Sequence, residues 1–187
     1  LSQEIVLGVG GVRLLHELGI VPALWHMNEG HSAFSSVERV GQKIADGTCT
    51  FEESGRDVRA STVFTTHTPV MAGHEAFDMG LMKKYFDGKN GLKSRMGLSP
   101  KEYYRLGHVY TDQSDDQAFS LTALAIRFSS VFNGVSRLHA EVTRNNWGNL
   151  WTDGAEKAAP IEHVTNGVHS LTWLGTDIRE LYERLIG

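Results

Sequence analysis

Apolar positions along the chain alternate between a helical period and short extended runs. Ile5, Val9, Val12 and Leu15 share one face of a helix that starts at Ser2, and a glycine follows it at position 19. Helical patterns also cover 32–45, 50–59, 79–86, 118–130, 138–147 and 177–185, and extended runs cover 23–27, 61–66, 131–136 and 161–165. Strands separated by helices predict an α/β fold with a parallel sheet flanked by helices on both faces.

Several local signals refine this prediction. Thr50 and Glu53 have the spacing of a capping box. Gly8, Gly10 and Gly11 match neither dinucleotide-binding nor P-loop spacing, so they predict a tightly packed helix face. The composition of the chain indicates a loop at 71–77, an exposed connection at 87–98 and a mobile acidic loop at 111–117. The apolar pattern at 118–130 predicts a buried helix.

Three polar segments follow predicted strands, at 25–31, 65–69 and 163–169, and they contain His26, His31, His67, His163 and His169. In an open α/β sheet the ligand crevice lies outside the carboxyl ends of the strands. Imidazole supplies hydrogen bonds and proton transfer near neutral pH. The three segments therefore predict a polar-ligand site along one edge of the sheet.

Each segment also has a structural interpretation. His26, Glu29 and His31 could bind zinc by residue type, but two histidines five positions apart do not match the helical zinc pattern, so no metal site is predicted. They could also cap a strand end, with Glu29 stabilising a helix start. Asn166-Gly167 is as typical of a turn as of a site, and Asn133-Gly134 favours a turn.

Composition narrows the classes of function. With 187 residues and 41% hydrophobic content, the chain predicts one domain with a sizeable core. Its net charge of -4 favours neither nucleic acid nor an anionic membrane as partner. Cys49 is the single cysteine, which indicates a reducing, cytoplasmic setting. The chain begins at Leu1 within a helical pattern, so we expect it to be a piece of a longer protein.

Segments 25–34, 61–73, 119–141 and 163–174 resemble the α-glucan (glycogen, maltodextrin) phosphorylases, in particular their compact bacterial and archaeal subfamily. Members of that family have two Rossmann-like domains of the glycosyltransferase-B type, with the sugar between them and pyridoxal phosphate held by a lysine of the C-terminal domain. The resemblance implies that residues 1–187 form the second half of the N-terminal domain, with a Rossmann-like sheet. It also implies that the cofactor lysine and the phosphate-binding cations lie elsewhere, so the chain itself should bind no pyridoxal phosphate and should be inactive alone.

The same resemblance assigns substrate-binding residues. It implies that His67 contacts the glucosyl unit through its side chain and carbonyl, and that Asn166 bonds the hydroxyls of the same sugar. Asn28, Glu29 and His31 match an Asn-Asp-x-His segment lining the site, with glutamate replacing the aspartate. The cofactor phosphate transfers the protons in this family, so no residue here is assigned as catalytic.

The implied activity is retaining phosphorolysis of α-1,4-glucans, which releases glucose 1-phosphate, with glucan and phosphate as partners. Family members are often homo-oligomers, and the sequence leaves the oligomeric state of this protein open. Two alternatives also remain: a nucleotide-sugar glycosyltransferase of the same fold, and a carbohydrate-binding module without catalysis.

Overall fold

A computed structural model describes residues 1–47, 49–88, 95–110, 117–151 and 159–186. Within these ranges, no helix is long and apolar enough to cross a membrane. The elements in chain order are α1 (Ser2–Ile5), α2 (Gly11–Glu17), β1 (Trp25–Asn28), α3 (Phe34–Ala45), α4 (Phe51–Ala60), β2 (Thr62–Thr66), β3 (Ala76–Phe77), α5 (Met79–Phe86), α6 (Pro100–Arg105), β4 (Phe119–Ser120), α7 (Leu121–Arg127), β5 (Val131–Gly134), α8 (Arg137–Trp147), β6 (Ile161–His163), α9 (Ser170–Trp173) and α10 (Thr176–Leu185).

The main sheet has four parallel strands in the order β1-β2-β5-β6. Asn28 of β1 lies opposite Thr65 of β2, and Gly134 of β5 lies opposite His163 of β6. This sheet, flanked by helices, confirms the predicted Rossmann-like α/β fold. Because all four strands run in one direction, their carboxyl ends share one edge, and the residues that end or directly follow them form what we call the rim.

The segment around Gly8 packs against the start of α3. A π-helical turn, Val6–Gly10, joins α1 to α2. A Cβ added at Gly8 would lie 2.7 Å from the backbone nitrogen of Ser35, which confirms the tightly packed face at that position. The prediction is wrong for the other two glycines, since Gly11 has no neighbour within 4 Å of such a Cβ and Gly10 only one, at 3.9 Å.

Capping boxes start two of the helices, and one of the two is the box predicted at Thr50 and Glu53. Glu53 N–H donates to the Thr50 hydroxyl over 3.3 Å, and the Glu53 carboxylate accepts from Thr50 N–H over 2.9 Å. Ser99 and Glu102 form a second reciprocal pair at the start of α6. Two orphan backbone donors are thereby satisfied at each helix start, which explains why α4 begins where the sequence predicts.

Three predictions were wrong in part because distant contacts override local signals. The helix predicted at 118–130 begins instead with β4, which pairs antiparallel with β3 inside the predicted 71–77 loop. Only Leu121–Arg127 is helical, and it is buried as expected apart from its last residue, Arg127. In the predicted exposed connection at 87–98, Met96 is fully buried in the core. Residues 89–94 of that connection and 111–116 of the predicted acidic loop lie outside the described ranges.

Candidate functional site

The first two polar segments meet at the rim. The His67 ring donates from Nε2–H to Oδ1 of Asn28 over 2.7 Å. Asn28 ends β1 and His67 follows β2, and both side chains are exposed. Since Nε2 carries the proton of this bond, Nδ1 of the neutral ring is left as an acceptor. Neither Nδ1 nor the His67 carbonyl has a hydrogen-bond partner among the described residues, and the residue as a whole is exposed.

Glu29 joins the same two strand ends through its carboxylate. It accepts from the backbone N–H of His67, from the Thr68 hydroxyl over 3.1 Å, and from the Thr66 hydroxyl over 3.3 and 3.4 Å. Its own N–H donates to the Thr65 carbonyl over 2.8 Å. We call residues 66–69 the β2 turn. The Glu29 carboxylate accepts hydrogen bonds from three donors of this turn.

His74 and its neighbours support the β2 turn from another side. His74 Nδ1 hydrogen bonds the Thr122 hydroxyl over 3.0 Å, and the ring meets that of Trp147 edge-on at 4.9 Å. Burial lowers the pKa of His74, and the negative charge of Glu29 partly opposes this. Asn146 donates to the Pro69 carbonyl over 3.0 Å. The turn that carries His67 is therefore held by contacts from Asn28 of β1, from Glu29 and from Asn146 of α8.

His31 lies on the rim but turns to a different partner. Its Nδ1–H donates to the Glu75 carboxylate over 3.1 Å, and the His31 side chain is 55% exposed. The Glu75 carbonyl accepts from Leu121 N–H over 3.1 Å, which fixes the residue. Sequence reasoning did not predict this contact of His31, because its two residues are 44 positions apart in the chain.

Asn166 lies on the far side of the rim. Its N–H donates to the Val135 carbonyl over 3.1 Å, and its side chain is exposed with no partner among the described residues. β6 is two strands away from β2 in the sheet, a separation of roughly 10 Å. The structure therefore brings Asn28, Glu29 and His67 into contact, and it leaves Asn166 on the same edge without a contact to them.

A row of hydrogen bonds crosses the sheet just below the rim. His26 Nε2–H donates to the Thr65 hydroxyl over 2.8 Å, and that hydroxyl donates to Asn133 Oδ1 over 2.8 Å. Asn133 and Gly134 are the last residues of β5, so their interpretation as a simple turn is wrong. This row ties β1, β2 and β5 together. No group of three possible metal ligands occurs among the described residues.

Comparison with known proteins finds glycogen and maltodextrin phosphorylases that are similar to this chain. The chain is 43% identical to the maltodextrin phosphorylase of Thermococcus litoralis over all its 187 residues, which is 21% of that protein. It is 36% identical to the glycogen phosphorylase of Mycobacterium tuberculosis, of which it covers 22%. The chain matches the glycogen and maltodextrin phosphorylases along its whole length. The Aquifex aeolicus glycogen phosphorylase is 34% identical, again over the whole chain and over 26% of the relative.

The chain thus spans about a fifth to a quarter of the length of these phosphorylases. No protein-family model matches it.

Proposed function

We propose that this chain is the segment of an α-glucan phosphorylase that lines its glucosyl site. The observation that supports this most is the exposed rim pair of Asn28 and His67, in a chain that matches phosphorylases over its entire length. The assignment of residues 1–187 to part of a glycosyltransferase-B-type N-terminal domain is part of the same proposal. So is the cytoplasmic setting inferred from the single cysteine.

The reaction explains why a rim of amides and imidazoles is useful. In retaining phosphorolysis a phosphate oxygen forms a bond to the anomeric carbon, the bond from that carbon to the glucan breaks, and the departing oxygen takes a proton. The transition state is oxocarbenium-like. Hydrogen bonds to sugar hydroxyls that tighten in this state contribute several kcal/mol.

In this proposal His67 binds the glucosyl unit from one side. The Asn28 oxygen fixes the orientation of the His67 ring, so that Nδ1 and the backbone carbonyl can each accept from a sugar hydroxyl. Asn166 offers its side-chain amide from across the rim, and a bound sugar would fill the gap between them. His31, held by Glu75, adds a further polar group to the lining.

The relatives suggest pyridoxal phosphate as the cofactor of the full-length enzyme, where it supplies the phosphate that moves protons. The described residues do not fit this group. A lysine that holds an aldehyde as a Schiff base is activated by desolvation. Lys43, Lys83, Lys84 and Lys101 lie on α3, α5 and α6 and are all at least partly exposed. We therefore assign no step of the reaction on this chain to the cofactor.

The full-length protein with its cofactor provides the direct test. It should release glucose 1-phosphate from maltooligosaccharides and phosphate, and His67→Ala should lower kcat and kcat/KM together while KM changes little. One well-placed transition-state hydrogen bond predicts a loss of roughly 2–4 kcal/mol in transition-state stabilisation. His16→Ala, which removes an exposed histidine from α2, is the matched control.

A structural role for His67 would give a different result. An unchanged kcat of the folded fraction beside a lower Tm would return His67 to the scaffold and remove the proposed contact. A nucleotide-sugar glycosyltransferase would instead release a nucleoside diphosphate from a sugar nucleotide. The 187-residue chain alone should release no glucose 1-phosphate, and calorimetry with maltooligosaccharides would show whether it binds sugar without catalysis.

A further inference from the structure

We infer that Glu29 is a positioning residue that sets the orientation of His67, rather than a group that contacts the sugar. The inference deepens the proposed function and rests on it for the identity of the substrate. Its structural part, the control of the β2 turn by one carboxylate, stands on the contacts of Glu29 alone.

The hydrogen-bonding capacity of the carboxylate is directed into the β2 turn. Oε1 accepts from the N–H of His67 and from the hydroxyls of Thr66 and Thr68, and Oε2 accepts from Thr66 as well. A carboxylate has about four acceptor sites. Three donors of one turn make these four contacts, because the single Thr66 hydroxyl hydrogen is shared between Oε1 and Oε2, and hydrogen bonds to a charged acceptor are about twice as strong as neutral ones. A sugar hydroxyl that approached Oε1 would have to compete with these donors.

The backbone of Glu29 supports the same assignment. Its φ is 62°, the one positive value at a non-glycine position among the described residues. L-residues seldom adopt this conformation, and it persists where surrounding contacts determine it. The Glu29 N–H is anchored to the Thr65 carbonyl. The residue is thus fixed at its backbone on β2 and at its carboxylate on the turn that follows β2.

His67 is consequently held at two points by two consecutive residues. Asn28 fixes its ring and Glu29 fixes its backbone N–H. Loss of the second contact frees the backbone to rotate and carries the ring away from the Asn28 amide. Misplacement of a substrate-positioning group by about 1 Å can cost on the order of 100-fold in rate.

Glu29→Gln in the full-length protein tests this inference. Glutamine keeps the size of the side chain but removes its charge and puts an NH₂ donor in place of one of the two accepting oxygens. We expect hydrogen exchange in peptides covering residues 64–70 to speed up at least about tenfold. We also expect kcat to fall by about 10- to 100-fold with little change in KM. Glu141→Gln, on the exposed face of α8, is the matched control and should change neither quantity.

The outcomes separate this inference from the proposed function. Unchanged exchange at the β2 turn overturns the positioning role whatever the activity, and so does a higher KM with unchanged kcat, which would indicate direct contact with sugar. Faster exchange in a protein whose wild type makes no glucose 1-phosphate keeps the positioning role and refutes the phosphorylase proposal. If Glu29→Gln does not fold, Thr68→Val removes one donor at constant shape, and unchanged exchange there also overturns the inference.

Discussion

Gly134→Ala should destabilise the junction between the sheet and α8. A Cβ at Gly134 would lie 2.9 Å from the backbone nitrogen of Ala140 and 2.9 Å from Nδ1 of His139. Real Cβ atoms do not approach so closely, and the backbone of α8 cannot move aside as a flexible side chain can. The Gly134 carbonyl also accepts from Val164 N–H over 3.0 Å, so displacement of Gly134 disturbs the chain after β6.

The expected size follows from overpacking. Extra methyl groups in a well-packed core cost about 1–3 kcal/mol. For a chain of this length 1 kcal/mol corresponds to roughly 2–4 °C in Tm. We therefore expect Gly134→Ala to lower the free energy of unfolding by about 2 kcal/mol and Tm by about 4–8 °C. Thermal and urea unfolding of the purified chain, followed by circular dichroism, measure both quantities.

Gly148→Ala is the control, because Gly148 ends the same helix with the opposite environment. Its φ and ψ are −52° and −33°, and nothing lies within 4 Å of an added Cβ. Alanine there should raise stability by about 0.4–1 kcal/mol, since it restricts the unfolded chain. If the two variants shifted Tm equally or in the same direction, the close contact between Gly134 and α8 would be refuted.

Three further changes probe other parts of the fold. Thr50→Ala should cost about 1 kcal/mol in urea unfolding, because it removes the cap of α4; no loss would mean that the cap is not formed. Glu38→Ala should lower the free energy of unfolding by about 2 kcal/mol, since it removes the buried carboxylate that pairs with the partly exposed Arg13 and Arg95. An unchanged urea midpoint would contradict these pairs. Burial lowers the pKa of His74 below 6.5, so the unfolded chain binds its proton more readily. Stability should therefore fall as pH drops from about 6.5 through the folded-state pKa, and His74→Gln should flatten that slope.

Local signals in the sequence predicted most of the fold. The capping pair of Thr50 and Glu53 predicted the start of α4, and the alternation of strands and helices predicted the parallel sheet. These signals succeed because caps and periodic apolar faces involve residues that are close in the sequence. The polar segments at strand ends likewise predicted where Asn28 and His67 would lie, because parallel strands end on a common edge.

Contacts between distant residues decided what the sequence missed. Phe119 and Ser120 lie within the helix predicted at 118–130. They pair instead as a strand with Phe77 and Ala76, some 43 positions away. Asn133 and Gly134 have the dipeptide of a turn, but they end β5 within the extended run predicted at 131–136, and Gly134 packs against α8. Side-by-side pairing of this kind has no local signature, since each partner supplies the other's missing hydrogen bonds.

The sequence by itself thus determined the class of fold, the start of α4 and the residues gathered at one edge of the sheet. Only the tertiary structure decided which of those residues hydrogen bond to one another. Glu29 is one position from Asn28 in sequence and 38 from His67, and its carboxylate reaches the β2 turn because the register of β1 on β2 and a φ of 62° aim it there. Residue type sets the chemistry that a side chain can offer, and the direction in which it is offered depends on the backbone that the whole fold imposes.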